Sequence, residues 1–295
     1  MNITVGIPAF NEEKNIGKVI ISLKKIVNDI IVCDDGSTDL TREIAEGLGA
    51  KVISHKKNMG YGEAIKSIFN EAKKNESDIL VTFDADGQHR PEDIRNLVDP
   101  IMEHQAEIVI GSRFLKNKTD MPNYRKIGVK VLTKVTNMSI KENLTDSQSG
   151  LRAYDKKVLQ NISLTDSGMG ISTEILIKSH QNEFRIAEVP IQILYDGTDT
   201  STHNPVSHGT SVLLSTIKYT SIQHPLKFYG TPGIIFLIVG LSFLLWTFQI
   251  YAEETRVVTN IALVGIGTLI LGAILMISAI LLYSLVSVVQ ENRNR

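Results

Sequence analysis

The sequence predicts an α/β fold, a mostly parallel sheet covered by helices, continued into a pair of membrane-length helices. Short β-rich runs at 3–7, 30–33, 52–54, 79–83 and 108–110 are each followed by a polar turn and an amphipathic stretch. Strands alternating with helical patterns build parallel sheets with helices on their faces. Polar clusters follow the first, second and fourth of these runs, at the sheet edge where open α/β folds bind ligands. Charge is spread through the first 225 positions, whereas 233–289 is almost wholly apolar apart from Glu253, Glu254 and Arg256.

Each element follows in chain order. The opening residues, Met1 to Gly6, show neither a basic leader nor a long apolar stretch, so no secretory signal is expected and the first domain should stay in the cytoplasm. The lone cysteine, Cys33, excludes an intrachain disulfide and a multi-cysteine metal site and suits a reducing compartment; within its apolar run it reads as a buried thiol. Asp39 marks a helix start before a run to about Glu46, and Pro91 with Glu92 and Asp93 opens another helix. Between Met121 and Lys141, the cations Arg125, Lys126, Lys130, Lys134 and Lys141 accompany Ile127, Val131, Leu132, Val135 and Met138 at helical spacing. Such a helix suits an anionic membrane surface, and equally an ordinary surface helix with a solvated face.

The runs 233–251 and 260–289, nineteen and thirty residues, carry no formal charge. At about 1.5 Å per residue each matches a hydrocarbon core of roughly 30 Å. Two such spans form a hairpin that returns the carboxyl terminus to the side of the first domain. Lys218 and Lys227 before it and Arg293 and Arg295 after it oppose only Arg256 in the connection, which places domain and tail in the cytoplasm. The expected division is an α/β domain at 1–206, a juxtamembrane amphipathic segment at 207–230, and the hairpin with a short tail at 231–295. A net charge of −1 over 295 residues gives no general reason to expect nucleic acid as a partner.

Three clusters carry chemistry. Pro8-Ala9-Phe10-Asn11-Glu12 ends the first strand and Asp34-Asp35-Gly36-Ser37-Thr38-Asp39 the second. Short acceptors beside a flexible glycine suit the base and ribose of a nucleotide, but turns and helix caps share this composition, so Ser37 to Asp39 also read as structural. Asp84-Ala85-Asp86-Gly87-Gln88 places two carboxylates and an amide oxygen in one tight loop. Hard oxygen donors of this kind suit Mg2+ or Mn2+, with water and a diphosphate at the remaining positions. An Asx-rich turn is the alternative.

These clusters, with Asn58-Met59-Gly60, Gly111-Ser112-Arg113 and Asp146-Ser147-Gln148-Ser149-Gly150-Leu151-Arg152, form an ordered set that resembles the family 2 glycosyltransferases. Within them it is similar to the dolichol-phosphate mannose synthase and polyprenyl-phosphate glucosyltransferase branch, over residues 1–195. The resemblance implies a GT-A-type, Rossmann-like domain. It implies inverting transfer of a hexose, mannose or glucose, from a nucleotide-sugar of the GDP-mannose or UDP-glucose type to a polyprenyl or dolichyl phosphate, beside membrane lipid. A homo-oligomer is compatible with it. Pro8, Phe10, Glu12, Cys33 and Asp35 would line the nucleotide pocket with Asp84, Ala85, Asp86 and Arg113, although Phe10 stands where Tyr is common. Asp84, Asp86 and Gln88 would serve Mg2+ or Mn2+, and Asp84, Asp86, Arg113 and Arg152 form the implied catalytic set. Arg125, Ser147, Ser149 and Arg152 would hold the acceptor phosphate, with Arg152 offering paired donors. For either Arg113 or Arg125, a structural salt bridge is the other reading. Asp146 is tempting as a general base, but a polyprenyl monophosphate is already anionic near neutral pH, so positioning and charge stabilisation should dominate.

One stretch departs from the pattern. Residues 195–204, after Val189-Pro190, contain no Arg or Lys where related mannose synthases often carry a basic segment. Donor closure should therefore differ in detail. His203 and His208 are candidates to hydrogen-bond the diphosphate, though loop histidines are often incidental. A processive polysaccharide synthase would carry a Gln-x-x-Arg-Trp signature, whereas the single tryptophan, Trp246, lies in an apolar run. A sugar-phosphate nucleotidyltransferase would carry a Gly-rich loop near the first strand, which 8–12 does not provide. A membrane-tethered nucleotide-sugar sensor or scaffold, or a transferase acting on another membrane acceptor, completes the alternatives.

Overall fold

The computed structural model describes residues 1–115, 121–140, 142–193, 221, 225–256 and 258–293. The chain divides into two compact units, Met1–Thr216 and Ile217–Arg295.

In the first unit, strands β1 (Ile3–Ala9), β2 (Asp29–Asp34), β3 (Lys51–Ser54), β4 (Ile79–Thr82), β5 (Ile108–Ser112), β6 (Arg152–Asp155) and β7 (Ile186–Pro190) form one sheet in the order β3-β2-β1-β4-β6-β5-β7. Helices α1 (Ile16–Leu23), α2 (Thr41–Gly47), α3 (Tyr61–Lys74), α4 (Asp93–Met102), α5 (Asn123–Ile140), α6 (Lys156–Asn161) and α7 (Ile171–Gln181) connect them. The strands read as continuous apolar runs because both faces are covered. Val5, Ile7 and Ala9 of β1 share one core with Ile16, Val19, Ile20 and Leu23 of α1 and Ile94, Leu97 and Val98 of α4. The α1 residues recur at helical spacing and so fall on one face. On the opposite face Gly6 leaves the space that Ile68 of α3 occupies, beside buried Ile65 and Phe69.

The sheet is parallel except at β6, which runs antiparallel between β4 and β5. Because β6 is reversed, its first residue, Arg152, stands opposite Thr82 and Ile110. The loop 146–151 therefore enters the sheet at the edge where β1, β2 and β4 end, and one reversed strand brings the acceptor-like segment to the other motifs.

Helix α5 is inverted relative to an ordinary surface helix. Its inward face is hydroxylic, with Thr133, Thr136 and Ser139 buried, while Ile127, Val131 and Met138 are 63%, 50% and 71% exposed. Lys130 and Lys134 are exposed among them.

In the second unit a π-helical turn, Leu226–Gly230, runs into α8 (Thr231–Glu254), which ends at Thr255 in a left-handed conformation, and α9 (Thr259–Arg293) follows. The helices pack antiparallel: Gly233 lies against Gly272 and Met276, Gly240 against Thr268 and Leu269, and Gly265 against Phe243 and Leu244. Small residues on this seam let the two backbones approach closely. Only 11% of the most apolar stretch of each helix is buried, so the apolar surface faces outward, unlike that of a core helix. Both helices extend beyond the sequence-derived runs because their charged ends remain helical.

The segment 195–204 with His203 and His208, residues 207–220 and the Arg125 side chain lie outside the described residues.

Candidate active site

The loops after β1 and β2 are knitted together. Asn11, at φ 55°, donates its backbone N–H to Ser37 Oγ (2.9 Å), and its side-chain oxygen accepts from Thr38 N (2.9 Å). Glu12 N donates to Thr41 Oγ1 (2.7 Å) and Glu13 N to Asp39 Oδ2 (3.1 Å). Ser37 to Asp39 thus spend their polar groups on the fold. Pro8, Phe10 and Glu12 remain half-buried along the edge, positioned to line a ligand.

Two residues expected in the nucleotide pocket, Cys33 and Ala85, have buried side chains. Cys33 is fully buried: β2 alternates Val32 into the α1 core, leaving Cys33 on the other face, 3.6 Å from His55. Burial, then the charge of Asp35, pushes its thiol up to about 12. The Ala85 methyl belongs to the apolar core, leaving at most its backbone for a ligand. Asp35 is also buried, its carboxylate engaged by His55 and by the N–H groups of Met59 and Gly60.

After β4, Asp84 Oδ2 is 3.0 Å from His89 Nε2. The backbone of Gly150 lies over this carboxylate, so closely that a Cβ there would be 2.7 and 2.8 Å from its two oxygens. Thr82 Oγ1 anchors the same loop by donating to Gly150 O (2.7 Å). Burial alone would favour the neutral acid at Asp84, but the His89 hydrogen bond and the charges of His89, Arg113 and Arg152 hold it below the usual carboxylate range. Asp86 behaves oppositely. Burial and then the negative charge of Asp84 push it up to about 6. One Asp86 oxygen accepts from Gln88 N (3.0 Å), an Asx-type turn.

Among the described residues no three His, Cys, Asp or Glu side chains converge into a self-sufficient metal site. The oxygen-bearing side chains in this loop are Asp84, Asp86 and Gln88, and the raised Asp86 carboxyl marks a charge conflict with Asp84 of the kind a cation can relieve. This set fits a divalent ion whose coordination a diphosphate completes.

Both described arginines of the motifs have partners within the protein. Arg113 forms a two-pronged bridge to buried Asp146, Nε to Oδ2 at 2.6 Å and Nη2 to Oδ1 at 2.7 Å. Glu188 of β7, unanticipated from the sequence, positions that loop by accepting from Thr145 N (2.8 Å), Thr145 Oγ1 (2.9 Å) and Asp146 N (2.8 Å). Arg152 is 1% exposed and donates to the carbonyls of Ser149 (2.8 Å), Ser172 (3.0 Å) and Ser147 (2.7 Å). It braces the acceptor-like loop against α7. Ser147 and Ser149 are buried too; the Ser147 hydroxyl bonds Thr133 and Thr136 of α5, and the Ser149 hydroxyl has no hydrogen-bond partner among the described residues. Arg152 and Ser147 thus hold the acceptor-like loop in place.

Three further residues border the site: His89, His55, and Tyr61 at the start of α3. Burial, then the charge of Asp84, pushes the Tyr61 hydroxyl well above its ordinary range. His89 directly follows Gln88 and was legible as a neighbour of the motif. His55 and Tyr61 carry no local signal.

A doubly covered α/β sheet with nucleotide-type loops and paired carboxylates at one edge defines a GT-A-like transferase domain. The model for glycosyl transferase family 2 matches residues 4–163. An uncharacterized protein of Methanocaldococcus jannaschii is 38% identical over 72% of this chain and 86% of its own. The UDP-N-acetylglucosamine–dolichyl-phosphate N-acetylglucosaminyltransferase of Methanococcus voltae is 37% identical over 70% of this chain and 89% of its own. The dolichol-phosphate mannosyltransferase of Pyrococcus furiosus is 31% identical over 82% and 69%. In fold, the glucosyl-3-phosphoglycerate synthase of Mycobacterium tuberculosis, crystallised with Mn2+, UDP and phosphoglyceric acid, aligns with a TM-score of 0.58 at 22% identity over 74% of this chain and 78% of that one. The chain belongs to glycosyl transferase family 2 and is a glycosyltransferase.

Proposed function

We propose that the enzyme transfers a hexose, mannose or glucose, from a nucleotide-sugar to a polyprenyl or dolichyl phosphate with inversion at the anomeric carbon. The carrying observation is the meeting, at one sheet edge, of the 8–12 loop, the Asp84–Asp86–Gln88 set and the 146–151 loop. The family membership and the dolichyl-phosphate relatives support this reading. Pro8, Phe10 and Glu12 line the nucleotide, with Asp35 shaping the pocket floor. Asp84, Asp86 and Gln88 would hold Mg2+ or Mn2+, which would supply charge neutralisation for the departing diphosphate.

The acceptor phosphate is itself the nucleophile. Asp146, buried and doubly bonded to Arg113, is occupied as a charge partner and not placed to take a proton. The oxygen of the phosphate attacks the anomeric carbon, the bond to the nucleotide diphosphate breaks, and direct displacement inverts the centre. Arg113 contributes positive charge beside Asp84, and Arg125 on α5 is assigned to the acceptor phosphate.

The membrane setting rests on α8 and α9, two outward-facing apolar helices, which we assign as spans with the catalytic unit cytoplasmic, in line with the basic residues flanking the pair. The exposed Ile127, Val131 and Met138 with Lys130 and Lys134 make α5 suited to an anionic lipid surface. The test is a matrix of radiolabelled nucleotide-sugars against polyprenyl phosphates, with lipid-linked product identified by mass. UDP-N-acetylglucosamine belongs in it because of the Methanococcus relative. Donor turnover without lipid-linked product would refute the acceptor assignment.

A further inference from the structure

Between the loop after β2 and the start of α3, two residues outside every motif read from the sequence, His55 and Ser67, join the Asp35 and 58–60 motifs in one polar cluster. His55, just past β3, is 11% exposed, and its Nδ1 lies 2.6 Å from Asp35 Oδ1. Its Nε2 lies 2.9 Å from Ser67 Oγ on α3 and 3.6 Å from Cys33 Sγ on β2. Asp35 in turn accepts Met59 N (2.9 Å) on Oδ1 and Gly60 N (2.8 Å) on Oδ2. The two loops also touch directly: Gly36, at φ 74°, packs against the backbone of Lys57 and Asn58 where a side chain has no room. Gly60, at φ 99°, turns the chain into α3 with Ser167 O 2.7 Å from where its Cβ would be.

From this geometry we infer that His55 is the positioning residue of the nucleotide side of the site, a latch that holds Asp35 and the 58–60 turn in one arrangement. With the proton on Nδ1, the ring donates to the Asp35 carboxylate, and Nε2 accepts from the Ser67 hydroxyl. The ring thereby spans β2, β3 and α3 with every polar group partnered, as a buried polar network requires. The carboxylate it holds has backbone donors on both oxygens, so a freed Asp35 would swing and take the 58–60 turn with it. His55 itself is largely covered and bonded, and so acts through Asp35 without touching the donor. This rests on the assignment of the 8–12 and 34–39 loops to the nucleotide.

The experiment uses the full-length protein in detergent, with UDP and GDP as probes, comparing wild type, His55→Ala, His55→Asn and Ser67→Ala. Asn retains an amide donor near the Nδ1 position, whereas Ala does not. His55→Ala should speed hydrogen exchange in peptides covering 55–62 and weaken binding of the preferred diphosphate by about tenfold or more, the scale of one lost hydrogen bond to a charged group. Turnover at saturating donor should stay within about threefold, since only uniform binding is lost. His55→Asn should recover most of both effects, and Ser67→Ala should show a smaller loss of the same kind, which keeps the test decisive if the alanine variant unfolds. Unchanged exchange and affinity in the His55 and Ser67 variants overturn the latch. So does a fall in turnover alone with affinity intact. A wild-type protein that binds neither UDP nor GDP refutes the nucleotide assignment itself, a result visible before any variant is compared.

Discussion

Burial and the neighbouring charge of Asp84 push the Asp86 carboxyl up to about 6, whereas its ordinary value is 3.8. The folded protein therefore binds this proton more tightly than the unfolded chain does. By linkage Asp86 detracts from stability as pH rises from about 4 to about 6, and a divalent cation bound there would reverse that loss. Mn2+ affinity, titrated by calorimetry, should accordingly weaken as pH falls through about 6, because the proton competes for the same oxygen. Asp86→Asn should flatten that pH dependence and reduce transfer by about a hundredfold or more while leaving the fold intact, the scale of losing an electrostatic stabiliser of the leaving group. Full activity in excess chelator would remove the cation from the mechanism. Arg152 gives the opposite kind of prediction. Its removal strands the carbonyls of Ser147, Ser149 and Ser172, each costing about 1–3 kcal/mol if left unsatisfied. Arg152→Ala should lower the melting midpoint by about 5 °C or more. Lys should not restore it, since an ammonium lacks the planar fork that reaches three acceptors. A variant of unchanged stability that has lost only lipid acceptor affinity would return Arg152 to the phosphate.

Helix α5 shows how an element's sequence pattern is read one way and used another. The spacing of Ile127, Val131, Leu132, Val135 and Met138 predicts a helix, and α5 spans Asn123–Ile140. Periodicity alone does not say which stripe faces in. Here the hydroxyls of Thr133 and Thr136 meet Ser147 of the acceptor-like loop, and that polar contact turns Ile127, Val131 and Met138 outward. With Lys130 and Lys134 beside them, this face should hold to anionic lipid with about 1 kcal/mol per lysine before screening. The double variant Lys130→Glu/Lys134→Glu should abolish stimulation of transfer by anionic lipid in proteoliposomes, a loss of roughly tenfold. Transfer to a short soluble acceptor in detergent should be untouched. Equal losses in both assays would show that the lysines serve the site and not the surface.

At the scale of the whole molecule, the chain separates into two compact units, and the candidate chemistry lies in the first. A chain ending near Pro225 should bind donor and cation normally and act on a short-chain acceptor, but work poorly on long-chain lipid in bilayers, because anchoring raises the effective concentration of enzyme at its acceptor. Loss of short-acceptor transfer in a folded truncation would show that the helical pair helps build the site. What the sequence by itself determined were properties carried by neighbouring residues: the alternation of strands and helices, the carboxylate loop at 84–88, the family resemblance, and two apolar runs of membrane-spanning length. Tertiary structure alone decided the reversed strand β6, the burial of Ala85, and the bonding partners of Arg113, Arg152, Glu188 and His55. Those depend on partners far along the chain, Arg113 with Asp146 across 33 residues and Asp146 with Glu188 across 42. A side chain's residue type says that it can donate or accept a hydrogen bond. Whether that capacity is spent on substrate or on backbone is settled only when folding brings distant carbonyls and carboxylates within reach, since a buried charge must be paired wherever it comes to rest.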